Sequence, residues 1–159
     1  MFKQAAKQGY KDAHLALGRH YAASSENLIT AEKHLKSSEN SKEGIFLLAD
    51  IYFKNPDIFP DITDAQIMEL YHQSSENGHK NAQYYLAERY RAGTIIKRDL
   101  IKGYKWALIF KSSRTKVTDL TDTRYFESFK QDLSQEDQDK AIKLADEWIK
   151  NYKNQSSKP

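Results

Sequence analysis

The chain has 159 residues, a length that suits one compact domain or one short array of repeats. Hydrophobic residues make up 39% of it and charged residues 30%, and the mean hydropathy of −0.81 is polar for a protein with a single core. The net charge is +3 and the basic and acidic residues are interspersed, so no run of Lys and Arg indicates the basic face that nucleic-acid binding usually needs. The absence of cysteine excludes disulfides and cysteine-based zinc sites, and no apolar stretch reaches the roughly 18 residues of a membrane span.

Apolar residues at helical spacing predict a chain made of helices. In chain order, we expect a partial helix at 2–8, three pairs at 11–23 and 27–39, 42–54 and 63–76, and 80–92 and 99–112, and two tail helices near 121–131 and 134–152. Ser134 followed by Asp137 is typical of a helix N-terminus, and an apolar stripe continues from Ala141 to Tyr152. We therefore expect residues 1–113 to form a repeat array and residues 114–155 to cap it within the same domain.

The pairs are copies of one repeat. The segment 5–21 aligns without a gap with the segment 74–90, and a third copy begins at Ser37. The corresponding small residues stand at positions 13, 44 and 82, so the two repeat lengths are 44 − 13 = 31 and 82 − 44 = 38 residues. A period of this size indicates a solenoid of stacked helix pairs.

The repeated residues lie on one face of a helix, because Ala13, Leu17 and Tyr21 are four residues apart. The residue after the leucine is small in all three copies: Gly18, Ala49 and Ala87. A small residue there lets a neighbouring helix approach closely. Gly9 and Gly78 fall between two predicted helices, where the left-handed backbone of a helix end favours glycine.

The third copy resembles a Sel1-like repeat, a family related to tetratricopeptide repeats. The resemblance rests on the segment 81–93, on Asp99 and on the segment 104–107, and it covers about residues 4–113. It implies an all-α, right-handed superhelical solenoid of antiparallel helix pairs. The sequence departs from the family pattern in the loops at 22–27 and 55–61, and Gly103 occupies a slot that is usually alanine.

The resemblance also implies a concave groove lined by the first helix of each pair. The groove positions are Leu15, Arg19 and Ala22 in the first repeat, Phe46, Asp50, Phe53 and Lys54 in the second, and Tyr84, Glu88 and Arg91 in the third. Leu15, Phe46 and Tyr84 would form an apolar column, which suits a peptide or helix of a partner protein. The alternative is that neighbouring helices shield this column and that it only packs.

No motif for catalysis or metal binding stands out. None of the histidine spacings matches the i, i+4 pair of a helical zinc site, so we expect isolated surface or inter-helix histidines, no metal and no cofactor. The paired serines have no surrounding nucleophile motif, and we interpret them as small residues at helix ends. An enzyme is therefore the least supported of three hypotheses.

The best supported hypothesis is a non-enzymatic adaptor or scaffold that binds a segment of another protein in the groove. The alternative, which the resemblance permits, is a bacterial immunity or chaperone protein that neutralises a secreted toxin such as a phospholipase effector. We expect no nucleic-acid partner, no membrane insertion and a monomer.

The segment from Phe2 to Gln8 resembles the second helix of a repeat whose first helix is missing. We expect either a fragment of a longer repeat protein or a helix that serves as an N-terminal cap. The compartment would be periplasmic or secreted if a signal peptide was removed, and cytoplasmic otherwise.

Overall fold

A computed structural model of the chain describes residues 2–38, 41–114 and 120–156, with side chains from 124 onward in the last segment. Within these residues the regular structure is helical, without a strand. The helices are α1 (Phe2–Lys7), α2 (Lys11–Ala22), α3 (Leu28–Ser37), α4 (Lys42–Lys54), α5 (Asp64–Glu76), α6 (Lys80–Ala92), α7 (Leu100–Ser112), α8 (Leu120–Lys130) and α9 (Gln135–Ser156). The predicted helices are confirmed to within two residues at each end, except that α9 extends to Ser156.

The chain divides into two compact units, Met1–His79 and Lys80–Pro159. The first unit contains α1 to α5, and the second contains α6 to α9. Within the units, the predicted pairs α2–α3, α4–α5 and α6–α7 pack against each other.

In the first unit, the repeated face forms the core. Leu17, Leu48 and Ala49 are buried, and Tyr52 is 3% exposed. Gly18 lies directly against α3, since a methyl group on it would stand 2.5 Å from the Leu35 side chain. The prediction that the small residue permits close helix approach is therefore confirmed for this pair.

Glycines end two of the second helices as predicted. Gly9 has a φ of 82° and Gly78 a φ of 77°, both in the left-handed region that residues with a side chain avoid. The amide of each donates back to a carbonyl of the preceding turn, Ala6 or Ser75, at 2.9 Å. These bonds satisfy carbonyls that the helix end would otherwise leave unpaired.

The second unit closes its core with aromatic residues. Tyr90 and Trp106 are buried between α6 and α7, and Trp148 of α9 lies with its ring centre 5.7 Å from that of Trp106. Ala141 and Ala145 are buried on the same helix, so α9 packs closely on α7. The predicted N-terminus of α9 is confirmed, because the Asp137 amide donates to the Ser134 hydroxyl at 3.1 Å.

The unusual glycine at position 103 has a packing reason in the second unit. The ring of Phe129, from α8, stacks on Tyr104 with centroids 5.9 Å apart. A methyl group on Gly103 would stand 3.1 Å from the Phe129 ring and 3.2 Å from the Ala87 carbonyl oxygen. Glycine thus leaves space for α8 beside α7.

No helix in the described part of the chain is both long and apolar enough to cross a bilayer.

Candidate partner-binding surfaces

The first unit brings together the predicted groove residues of the first two repeats, because α2 and α4 lie side by side. Leu15 is half-buried, and Arg19 is exposed. The Arg19 guanidinium forms an ion pair with Glu43 across the two helices, with 2.6 Å between Nη2 and Oε1. This face therefore carries a charge pair that is already neutralised.

Phe46 is placed differently from the prediction. Its side chain is 7% exposed, and its ring centre lies 4.7 Å from that of His79 and 6.3 Å from that of Tyr71. The expectation that Phe46 is an exposed member of an apolar column is wrong, because the end of α5 and the turn after it cover the ring. Burial also lowers the pKa of His79. Phe46 is a core residue.

The remaining residues on α4 are more accessible. Phe53 is half-buried, and Lys54 is exposed and lies 2.8 Å from Asp50 Oδ2 in an i, i+4 ion pair. The other oxygen of that carboxylate, Asp50 Oδ1, is buried and has no hydrogen-bond partner among the described residues. A buried acceptor without a donor costs free energy.

In the second unit, the predicted groove residues lie beneath the chain's own α8. The Tyr84 ring centre is 5.3 Å from that of Tyr125 on α8 and 5.5 Å from that of Phe110 on α7. Burial, assisted by the nearby Glu88 carboxylate, raises the pKa of both Tyr84 and Tyr125. Tyr84 is therefore half-buried in an aromatic cluster instead of standing free.

Glu88 and Arg91 form the polar part of the same surface. Arg91 donates twice to the carboxylate, with 2.7 Å from Nη2 to Oε2 and 3.1 Å from Nε to Oε1. This hydrogen bonding raises the pKa of Arg91. The guanidinium also lies 5.7 Å from the ring centre of Phe129, so α8 contacts both the aromatic and the charged positions that the sequence assigns to a partner.

The sequence did not predict a histidine pair in the first unit. Nδ1 of His14 lies 3.0 Å from Nδ1 of His34, and Nε2 of His14 lies 3.0 Å from the Ala6 carbonyl oxygen. The expectation was of isolated surface or inter-helix histidines. These two do lie between helices, but they are not isolated, because the packing of α2 on α3 brings them together although they are 20 residues apart. Among the described residues, no three His, Asp or Glu side chains come close enough together to hold a metal ion.

Comparison with known proteins identifies the fold. No protein-family model matches the sequence, and no curated protein matches it either. Among solved structures, the chain resembles the crystal structure of c5321, a protective antigen of uropathogenic Escherichia coli strains that displays an SLR fold, with a TM-score of 0.80 over 99% of the chain. The chain has the Sel1-like repeat fold. The predicted all-α solenoid of helix pairs is thereby confirmed.

The similarity to c5321 is one of fold. The sequences are 20% identical, and the chain spans 35% of the length of that protein. Repeat solenoids share a scaffold and differ in their surfaces, so the function of this Sel1-like array must be argued from its own residues.

Proposed function

We propose that this Sel1-like array is a non-enzymatic protein-interaction module that binds a helical segment of a partner protein along α2 and α4, the first helices of the two pairs in the first unit. The observation that supports it is the position of α8 in the second unit. A helix of the chain itself lies on Tyr84 and Arg91, two of the positions that the sequence assigns to a partner. It contacts them through Tyr125 and Phe129, which are four residues apart and share one helix face.

The α8 contact suggests the chemistry of the partner. Aromatic side chains at i and i+4 meet an aromatic ring and a guanidinium, which is how a helix in a groove is commonly anchored. In the first unit, the corresponding face offers the half-buried Leu15 and Phe53 for such anchors. We therefore propose a partner helix with two apolar or aromatic anchors for that face.

The charged groups on this face of the first unit are already paired with one another. Arg19 is paired with Glu43, and Lys54 with Asp50, so the face has no net charge from these four groups. An uncharged partner segment would therefore meet no electrostatic penalty.

The site is tested by photo-crosslinking in lysate of the source organism, with p-benzoylphenylalanine in place of Lys54 or of Lys36. The two lysines are matched: each is ion-paired with an acid four residues earlier, and their side chains are 55% and 60% exposed. Lys54 is on a first helix and Lys36 on a second helix. We expect Lys54 to label a protein that Lys36 does not label. Equal labelling from both positions, or none from Lys54, would exclude this face.

A toxin-neutralising role is a special case of this function, in which the partner is a secreted bacterial toxin. It is tested by asking whether the chain restores growth to cells that produce the crosslinked partner. Failure of rescue would exclude the toxin case and leave the interaction module standing.

A further inference from the structure

The first unit contains the same crevice twice, once for each helix pair. Each crevice is formed by a second helix and by both helices of the following pair, and each has a volume of about 390 Å³. The first is floored by Leu17 and Tyr21, and the second by Leu48 and Tyr52, which are the same repeat positions. Stacking of the pairs therefore accounts for the crevices themselves.

The two crevices differ in charge. The first is lined by Lys3, Lys7 and Lys33 and by no carboxylate, whereas the second is lined by Lys36 and Glu69. Lys36 is also neutralised by Glu32 at 2.7 Å. Within the described part of the chain, Lys3, Lys7 and Lys33 form no ion pair. All three lysines are exposed, and cations that line one cavity favour an anion there.

The histidine pair lies in the wall of this first crevice, and its hydrogen bonds determine where the protons are. A carbonyl oxygen only accepts, so Nε2 of His14 donates to Ala6. In the neutral pair, Nδ1 of His14 therefore accepts from Nδ1 of His34, and Nε2 of His34 carries no proton. The pair can gain one proton at Nε2 of His34 without breaking either bond. A second proton would place two N–H groups face to face.

We propose that the first crevice binds a small organic anion, whose carboxylate or phosphate group lies among Lys3, Lys7 and Lys33 and whose apolar body lies on Leu17 and Tyr21. The volume falls within the roughly 300–1,000 Å³ of small-molecule sites. The proposal is independent of the partner-binding face, which is formed by other residues.

Proton uptake follows from the same arrangement. The titratable groups around His34 are Lys3 and Lys7 of α1, His14 and Tyr21 of α2, and Lys33 of its own helix. Burial, together with His14 and Lys33, lowers the pKa of His34, so the ring is neutral at pH 7.5. A bound anion stabilises the protonated ring, and the affinity for the anion therefore rises as the pH falls.

The test is a titration of the full chain with benzoate and with phenyl phosphate, followed by calorimetry and by the imidazole NMR signals of His14 and His34. Benzyl alcohol tests the need for charge, and inorganic phosphate tests the need for an apolar body. We expect saturable binding of at least one organic anion, and the tighter of the two identifies the anionic group. Binding to neither, equal binding of benzyl alcohol, or equal binding of inorganic phosphate would overturn the proposal.

Two triple variants separate a site from general attraction to a basic protein. The first is Lys3→Gln, Lys7→Gln and Lys33→Gln. The control is Lys36→Gln, Lys54→Gln and Lys102→Gln, which removes the same charge from lysines that are ion-paired. We expect the first to lower affinity at least about tenfold and the control less than about threefold, because only unpaired cations are free to bind the anion. Equal losses would mean nonspecific attraction and would overturn the proposal.

The pH arm uses benzoate, since a carboxylate stays ionised at pH 5.5. We expect its affinity to rise at least about threefold between pH 7.5 and 5.5 in the native chain and to stay level in His34→Gln. A level response in the native chain would show that His34 does not face the anion.

Discussion

The helices α4 and α6 carry the same repeat pattern and bury the same positions, yet the residue two places before the repeated leucine has different surroundings in each. On α4 it is Phe46, which is 7% exposed and packs against Tyr71 and His79. On α6 it is Tyr84, which stays half-buried and packs against Tyr125 of α8. The repeat therefore determines which residues point into the core, whereas the elements that follow each first helix determine what covers its other face.

The largest effect on stability is expected at the buried tyrosine that the repeat places near the end of both helices, Tyr52 on α4 and Tyr90 on α6. Tyr90 is 4% exposed, and we expect Tyr90→Ala to lower the free energy of unfolding by about 3–5 kcal/mol, because an aromatic core side chain is lost. Urea unfolding followed by circular dichroism measures this. Tyr10→Ala, at a tyrosine that is 61% exposed, is the control and should change little. A loss below about 1 kcal/mol for Tyr90→Ala would mean that the repeat register is wrong.

The next prediction concerns the repeat position whose surroundings differ, Phe46 on α4 and Tyr84 on α6. Phe46→Ala should lower the free energy of unfolding by about 3 kcal/mol. Tyr84→Ala should lower it by about 1–2 kcal/mol, because Tyr84 keeps part of its surface in water. The same urea experiment compares them directly. Equal costs would remove the distinction between a covered first-unit position and a half-covered second-unit position.

The smallest effect concerns a polar contact found in one repeat. The Tyr52 hydroxyl donates to Glu32 at 2.6 Å, and the Lys36 ammonium donates to the same oxygen at 2.7 Å. Tyr52→Phe should therefore cost about 1–2 kcal/mol at pH 7. Tyr21→Phe, at the same position of the first pair, is the control, since its hydroxyl makes no hydrogen bond in the described part of the chain.

The Tyr52→Phe cost should also depend on pH. Burial raises the pKa of Glu32, but the bonds from Lys36 and Tyr52 outweigh it and hold the pKa below the usual 4.5. A lowered folded-state pKa means that the stabilisation is present above the usual value and is lost as the pH falls through the folded-state value. The difference between native chain and variant should thus shrink below about pH 4. A constant difference across that range would assign the cost to packing instead of to the carboxylate.

The sequence by itself determined the helices and their inward faces. Spacing of four residues places Ala13, Leu17 and Tyr21 on one face of a helix, and a left-handed turn between helices favours a glycine such as Gly9 or Gly78. These are local constraints, so they can be read from a single chain. The same reasoning found the copies of the repeat, because each copy has to satisfy the same constraints.

Tertiary structure decided which residues cover the helix faces that the repeat pattern does not place in the core. The burial of Phe46, the contact of Phe129 with Arg91 and the pairing of His14 with His34 each join residues that are at least 20 positions apart. The nature of these side chains alone does not specify such contacts, since an aromatic or a histidine serves equally on a surface, in a core or against a partner. Long-range packing chooses among these roles, and it does so separately for each repeat because the segments that follow each first helix differ.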